Sequence, residues 1–100
     1  MKNVFKKVWD YTKSIPKGTV MTYGDIANKL SISPRTVGWA LHANKSSNVP
    51  CHRVVNRNGM LAKNFAFDGE REQRRRLESE GVLFIDENHV DFTKSYFQNQ

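Results

Sequence analysis

Cys51 is the only cysteine of the 100-residue chain, and it lies between Pro50 and His52 in the segment NVPCHRVVNRNG. A thiol reacts as its thiolate, but a free cysteine is mostly protonated near neutral pH. Because a neighbouring imidazole can take the thiol proton, Cys51 and His52 form a candidate nucleophile and base. The alternative interpretation is a small core cysteine beside a surface histidine, and the dipeptide taken alone favours that alternative.

The composition limits the functions that this pair could serve. The net charge of +6 favours a polyanionic partner such as a nucleic acid. A single cysteine excludes an internal disulfide, and three scattered histidines argue against a zinc site, so we predict neither a metal nor another cofactor. The N-terminus lacks a signal-peptide core and no apolar run is long enough to span a bilayer. We therefore expect a soluble, cytoplasmic protein without a membrane partner.

A helix-turn-helix is predicted between Asp25 and Asn44, ahead of the cysteine. Its first helix begins at a capping box formed by Thr22 and Asp25. The second helix, PRTVGWALHAN, has Ser33 as its N-cap and Pro34 at its first position. In a DNA-binding unit this second helix would be the recognition helix. An ordinary helical hairpin that touches no DNA has the same pattern.

The rest of the chain predicts two further helices and two short hairpins. An amphipathic helix precedes Pro16, with its apolar stripe at Val4, Val8, Tyr11 and Ile15, widened by Phe5 and Trp9. Asn58-Gly59 favours a tight hairpin turn within VVNRNGML, and VLFIDENHVDF alternates as a second hairpin. Between them, Asp68 is predicted to cap a surface helix that ends at Gly81 and has Leu77 as its apolar anchor. The tail TKSYFQNQ is expected to fray.

Four segments of the sequence together resemble a known family. They are GTVMTYGDIA at 18–27, SPRTVGWALHAN at 33–44, PCHRVV at 50–55 and LESEGV at 77–82. In this order they resemble the C-terminal, DNA-binding domain of the O6-alkylguanine-DNA alkyltransferases, the methylated-DNA–protein-cysteine methyltransferases. The resemblance covers residues 4 to 82. It leaves the family's N-terminal domain without a counterpart, so we expect one domain over residues 1–100, as in the alkyltransferase-like proteins, which bind alkylated guanine without repairing it.

This resemblance implies a fold, a reaction and a partner. The fold would be a small α+β, winged-helix-like domain that places its helix-turn-helix in the minor groove and carries short β-hairpins. The partner would be double-stranded DNA containing O6-alkylguanine, with nucleotide-excision repair proteins as candidate further partners of a monomeric protein. The target guanine must leave the base stack before a side chain can reach its O6 substituent. The alkyl group would then pass irreversibly to the cysteine, so each molecule would act once.

The resemblance also implies roles at the reactive centre. Cys51 matches the alkyl acceptor, His52 matches the histidine that takes the thiol proton through a water, and Glu80 matches the glutamate that orients that histidine. Asn44 matches the asparagine at the hinge between the recognition helix and the active-site segment. Tyr23 matches the tyrosine that rotates the target phosphodiester and protonates the leaving base.

Further matches concern the DNA and the base pocket. Arg35 matches the arginine finger that enters the stack where the guanine was. The other expected DNA contacts, besides Tyr23, are Ser33, Pro34, Thr36 and Arg53. The base pocket would be lined by Cys51, Val54 and Phe65, with the backbone carbonyls of Cys51 and Val54 accepting hydrogen bonds from the guanine amino group.

One segment departs from the repair enzymes. Their pocket is closed by a Tyr-Ser-Gly-Gly-type loop, whereas this chain has LAKNFAFDG at the corresponding place. The segment that follows, GEREQRRRLESEGV, resembles the alkyltransferase-like proteins more than the repair enzymes. The alkyltransferase-like proteins usually carry Trp or Ala in place of the cysteine. Three functions follow: alkyl transfer to Cys51, a non-enzymatic lesion sensor that recruits another repair pathway, and a helix-turn-helix transcription regulator. The third would leave Cys51, Tyr23 and Glu80 without a role.

Overall fold

A computed structural model describes residues 2–62 and 69–97. The helices in these ranges are α1 (Lys2–Thr12), α2 (Tyr23–Leu30), α3 (Pro34–Ala43), α4 (Gly69–Ser79) and α5 (Phe92–Ser95). Two short strands, β1 (Met21–Thr22) and β2 (Val54–Val55), form a parallel sheet. A 3-10 turn over Cys51–Arg53 leads directly into β2. The arrangement is the predicted α+β class. Within the described ranges, no helix combines the length and apolar character that crossing a membrane requires.

The predicted helix-turn-helix is formed by α2 and α3. Thr22 and Asp25 close the predicted capping box, since each side chain accepts a hydrogen bond of 3.0 Å from the backbone N–H of the other residue. Ser33 caps α3 by accepting from the N–H of Thr36 at 3.2 Å, with Pro34 at the start of the helix. Helix α1 packs across both, and their shared core is Val8, Ile15, Ile26, Val37 and Ala40.

The first predicted hairpin forms its turn but not its expected ladder. Around the turn, Gly59 N–H donates to the Asn56 carbonyl at 2.9 Å and Asn56 N–H donates to the Met60 carbonyl at 3.1 Å. Strand β2, however, pairs in parallel with β1, and Met60 pairs instead with His89. Both valines of β2 are fully buried, and consecutive buried residues are typical of a parallel strand covered on both faces.

The second predicted hairpin is confirmed. Phe84 and Val90 form an antiparallel bridge, and the Ile85 N–H donates to the His89 carbonyl at 2.9 Å. Helix α4 precedes this hairpin and buries Leu77 as expected. Its predicted cap, Asp68, lies outside the described residues.

Two boundaries differ from the sequence-based expectations. Helix α1 ends at Thr12, and tighter turns follow, in which Ser14 N–H donates to the Tyr11 carbonyl and Ile15 N–H to the Thr12 carbonyl. Ile15 itself precedes Pro16 and is therefore disfavoured in helical conformation. The tail TKSYFQNQ was expected to fray, and for residues 93–97 this expectation was wrong. Helix α5 forms there, and the Val20 backbone bonds both Ser95 (2.8 Å) and Phe97 (2.9 Å). Residues 98–100 lie outside the described ranges.

Candidate functional site

Cys51 is buried, with 6% of its surface exposed, at the first position of the 3-10 turn. The Asn44 side chain, at the C-terminal end of α3, donates from Nδ2 to the Cys51 sulfur at 3.3 Å. Asn44 is itself fixed, since its Oδ1 accepts from Ser46 N–H at 3.0 Å and its Nδ2 donates to the Ser46 carbonyl at 2.9 Å. The Ser46 N–H requires Oδ1 on its side, so the amide group must face the sulfur. The structure thus brings the predicted hinge asparagine onto the predicted nucleophile.

Two opposing effects set the ionisation of this thiol. Burial raises the pKa of Cys51, and the hydrogen bond from Asn44 lowers it by less. The net effect is a raised pKa, so the resting side chain is a protonated thiol. A nucleophilic reaction at Cys51 therefore needs a base to remove the proton and a donor to stabilise the sulfur anion.

The predicted base and its partner are in direct contact. His52 Nε2 lies 2.8 Å from Glu80 Oε2, and the two side chains are 12% and 10% exposed. Burial lowers the pKa of His52, and Glu80 raises it by less, so the imidazole is neutral near neutral pH. Because the carboxylate only accepts hydrogen bonds, Nε2 carries the proton and Nδ1 is left as the acceptor nitrogen.

Arg53 binds the same carboxylate from the other side. Its Nε and Nη2 donate to the two Glu80 oxygens at 3.0 and 2.8 Å, and its Nη1 donates to the Ile15 carbonyl at 2.9 Å. Burial alone would raise the pKa of Glu80, but the bonds from Arg53 and His52 outweigh it and lower the pKa to about 2. Arg53 is a predicted DNA contact, but its guanidinium is engaged inside the protein, and these contacts give that prediction no support.

Gln73 is a site residue that the sequence analysis missed. Its fully buried side chain donates from Nε2 to the carbonyls of His52 (3.2 Å) and Val54 (3.0 Å), and its Oε1 accepts from Ala62 N–H at 2.8 Å. Gln73 thus joins α4 to the active-site segment. The available signal was its position four residues before Leu77, on the same buried face of α4.

Tyr23 begins α2 and packs, half-buried, against the core cluster that contains Cys51. Burial, and then the negative charge of a Cys51 thiolate, raise the pKa of Tyr23. The hydroxyl is therefore protonated over the physiological range, as a proton donor must be. The structure thus places the predicted tyrosine close to the predicted nucleophile.

The predicted DNA-contacting residues of α3 lie at its N-terminal end. Ser33, Pro34 and Arg35 are exposed, and Thr36 is half-buried with its hydroxyl 3.0 Å from that of Ser33. Val54, predicted for the base pocket, has its side chain fully buried in the core, and its carbonyl already accepts the hydrogen bond from Gln73 at 3.0 Å. Phe65, the third predicted pocket residue, lies outside the described residues.

Comparison with known proteins gives the same result from both sequence and structure. The family model "6-O-methylguanine DNA methyltransferase, DNA binding domain" matches residues 3–82. The chain is 41% identical over 85 residues to alkyltransferase-like protein 1 of Schizosaccharomyces pombe, covering 82% of this chain and 79% of that protein. It is 48% identical over 64 residues to the methylated-DNA–protein-cysteine methyltransferase of Methanocaldococcus jannaschii, covering 63% of this chain but only 38% of the relative.

A solved structure extends the similarity over the whole fold. The crystal structure of S. pombe Atl1 in complex with damaged DNA containing O6-carboxymethylguanine superposes with a TM-score of 0.85. The two sequences are 33% identical, and the match covers 99% of this chain and 98% of that one. The predicted resemblance is confirmed by these matches: the chain belongs to the family of the 6-O-methylguanine DNA methyltransferase DNA-binding domain.

Proposed function

We propose that this protein binds double-stranded DNA, flips an O6-alkylguanine out of the stack and transfers the alkyl group irreversibly to Cys51. One observation carries the proposal: Asn44 donates to the Cys51 sulfur at 3.3 Å while the adjacent His52 is held by Glu80 at 2.8 Å. This arrangement supplies a nucleophile, a donor for its anion, and an oriented neutral base. The relative Atl1, seen with DNA containing O6-carboxymethylguanine, supports damaged DNA as the partner.

The transfer step balances with groups of this chain. The thiol proton passes toward Nδ1 of His52, and the Cys51 sulfur attacks the alkyl carbon. A sulfur–carbon bond forms as the carbon–O6 bond breaks, and the electron pair of the broken bond remains on the guanine. The guanine leaves as an anion and takes a proton from the hydroxyl of Tyr23. The Tyr23 phenolate then regains a proton from the His52 imidazolium through solvent, so both side chains return to their neutral forms. The product is a thioether on Cys51 and an unmodified guanine, with no cofactor required.

A non-enzymatic lesion sensor is the second candidate function. It is favoured by the 41% identity to alkyltransferase-like protein 1 and by LAKNFAFDG in place of the loop that closes the pocket in the repair enzymes. In that case the bound lesion would be handed to nucleotide-excision repair proteins. In either case we propose that the protein acts as a cytoplasmic monomer on duplex DNA.

Lesion binding and alkyl transfer can both be measured on the DNA. A duplex with one O6-methylguanine should compete for the protein at least tenfold better than the unmodified duplex, and Cys51→Ala should keep this preference. After incubation with wild-type protein, nucleoside analysis should show loss of O6-methylguanine and an equal gain of guanine, at one per protein molecule. Cys51→Ala should leave the lesion intact. Equal binding of both duplexes would contradict the proposal, and preferential binding with an unchanged lesion would establish the sensor.

Tyr23→Phe should slow transfer at least tenfold while lesion binding stays within a few-fold of wild type. The ring that packs against the core remains, and only the protonated hydroxyl is removed. Single-turnover transfer rates and equilibrium competition, measured on the same duplex, separate the two effects. An unchanged transfer rate would mean that the hydroxyl does not protonate the leaving guanine.

Gly38→Ala should change folding stability and DNA binding in opposite directions. Apart from its chain neighbours and the backbone of its own helix, a Cβ at Gly38 would meet no atom of the described residues within 4 Å. Glycine inside a helix costs about 0.5 to 1 kcal/mol relative to alanine, so the variant should be more stable. If α3 approaches the duplex closely, the added methyl group lies between helix and DNA and should weaken binding a few-fold. Urea unfolding and a duplex titration measure the two effects. Increased stability with unchanged binding would contradict a close approach of α3 to DNA.

A further inference from the structure

Trp39 is a large apolar side chain that the fold leaves in water. Three such side chains are exposed among the described residues, namely Trp39 (53%), Leu83 (55%) and Ile85 (70%). Leu83 and Ile85 belong to the C-terminal hairpin, whereas Trp39 lies on α3, the proposed recognition helix. Exposed tryptophans are typical of binding surfaces, because the indole combines a wide apolar face with a hydrogen-bond donor.

The protein itself makes no use of this indole. The other tryptophan, Trp9, donates its Nε1–H to the Ala40 carbonyl at 2.7 Å and packs against Phe5. Within the ranges that the structure describes, Trp39 has no hydrogen bond or ring contact and is not packed against either core cluster. Its role in folding is therefore small, and the exposed indole is available to a binding partner.

The position of Trp39 identifies the partner. Arg35, Trp39 and His42 are exposed and occur at positions i, i+4 and i+7, so they share one face of α3. Trp39 lies about 6 Å beyond Arg35 along the helix axis, which is less than two base-pair steps. The surface that presents Arg35 to the duplex therefore presents Trp39 to the same groove.

We infer that Trp39 is a DNA-contacting residue that packs its indole into the minor groove next to the position that Arg35 reaches. The inference rests on the proposed function, which places α3 against DNA. The apolar face of the indole is buried against deoxyribose, and Nε1–H can donate to the acceptors that every base pair presents in this groove. These contacts do not depend on the lesion. Trp39 thus supplies affinity for any duplex, whereas Arg35 acts only when a base has left the stack.

Tryptophan fluorescence reports this contact directly, because Trp9 and Trp39 are the two tryptophans of the chain. In the free protein, acrylamide should quench the exposed Trp39 strongly. Addition of an undamaged or an O6-methylguanine duplex should protect it several-fold. In Trp39→Phe the remaining emission comes from half-buried Trp9, and DNA should leave its quenching unchanged.

Affinity supplies the second measurement. Trp39→Ala should weaken binding of both duplexes by about tenfold, so that the preference for the lesion is kept. Leu83→Ala, an equally exposed apolar residue outside α3, should bind both duplexes as wild type does. Thermal unfolding should show that both variants remain folded, since neither side chain is in the core.

The outcomes separate this inference from the function on which it rests. Suppose that the wild-type protein prefers the lesion duplex, but DNA does not protect Trp39 from acrylamide or Trp39→Ala binds as tightly as wild type. Either result overturns the role of Trp39 and leaves the proposed function intact. A loss of affinity confined to lesion DNA also overturns it, because the indole would then act in base flipping. If wild-type protein binds neither duplex, both proposals fail together.

Discussion

Glu80→Gln should destabilise the fold by about 3 kcal/mol and slow alkyl transfer by about a hundredfold or more. The carboxylate of Glu80 accepts hydrogen bonds from both His52 and Arg53, and the three side chains are at most 16% exposed. The neutral amide leaves the buried guanidinium of Arg53 without a counter-charge. The amide can donate as well as accept a hydrogen bond, so it no longer keeps the proton of His52 on Nε2.

The pH dependence of stability provides a second signature of the same contact. The pKa of Glu80 is lowered from 4.5 to about 2, so the folded state binds this proton less readily than the unfolded chain. The resulting stabilisation, about 3 kcal/mol, is fully present above pH 4.5 and is lost as the pH falls toward 2. In Glu80→Gln this part of the acid dependence should disappear.

Urea unfolding between pH 7 and pH 3 and single-turnover transfer at pH 7 measure the two effects. Glu78→Gln is the matched control, because Glu78 lies on α4 two residues away and is 51% exposed, and its one ion pair among the described contacts is with Arg74. It should change stability by less than about 1 kcal/mol. If Glu80→Gln behaves like this control, the buried carboxylate does not organise the site.

Arg35→Ala should weaken binding to an O6-methylguanine duplex by roughly tenfold to a hundredfold and binding to an undamaged duplex by only a few-fold. Extruding a base costs a few kcal/mol, and a side chain that fills the vacated space recovers part of that cost. Arg35 is exposed at the first turn of α3, where its guanidinium can extend beyond the helix end to stack and donate to the unpaired base.

Competition titrations with the two duplexes measure the ratio of the affinities for lesion and undamaged DNA, which defines the role of Arg35. Arg71→Ala removes one exposed positive charge from α4 and serves as the control for the electrostatic contribution alone. It should shift both affinities equally and by a small factor at physiological salt. If Arg35→Ala loses the same affinity for both duplexes, Arg35 acts only as a phosphate contact.

The parts of the fold that depend on local signals could be predicted from the sequence. The capping box of Thr22 and Asp25 and the Ser33-Pro34 start of α3 are fixed by residues three positions apart or fewer, and both form as predicted. The second hairpin and the buried Leu77 follow from alternation and helical spacing in the same way.

The parts that depend on distant partners could not be predicted. Strand β1 pairs with β2 across about thirty residues of chain, and no local pattern in Met21-Thr22 identifies that partner. The tail is held in place because Val20 bonds Ser95 and Phe97, which are distant from it in sequence. Gln73 was not predicted to be buried, because a polar residue in a strongly charged helix is usually exposed.

The candidate site was predicted through the family pattern rather than from spacing alone. Residue types at Cys51 and His52 suggest a nucleophile and a base, but nothing local connects them to Glu80, which lies 28 positions beyond His52. The same carboxylate explains the outcome for Arg53. Arg53 was expected among the DNA contacts, whereas its guanidinium binds Glu80 and the Ile15 carbonyl.

The mass of the protein after one encounter with the lesion shows whether Cys51 accepts the alkyl group. Wild-type protein is incubated with an excess of O6-methylguanine duplex, its intact mass is measured, and the modified peptide is sequenced. We expect a gain of one CH2 unit per chain, because a methyl group replaces the thiol proton. The added group should be located on Cys51 and be absent from Cys51→Ala. An unchanged mass in protein that demonstrably binds the lesion, or a methyl group found on another residue, would contradict alkyl transfer to Cys51.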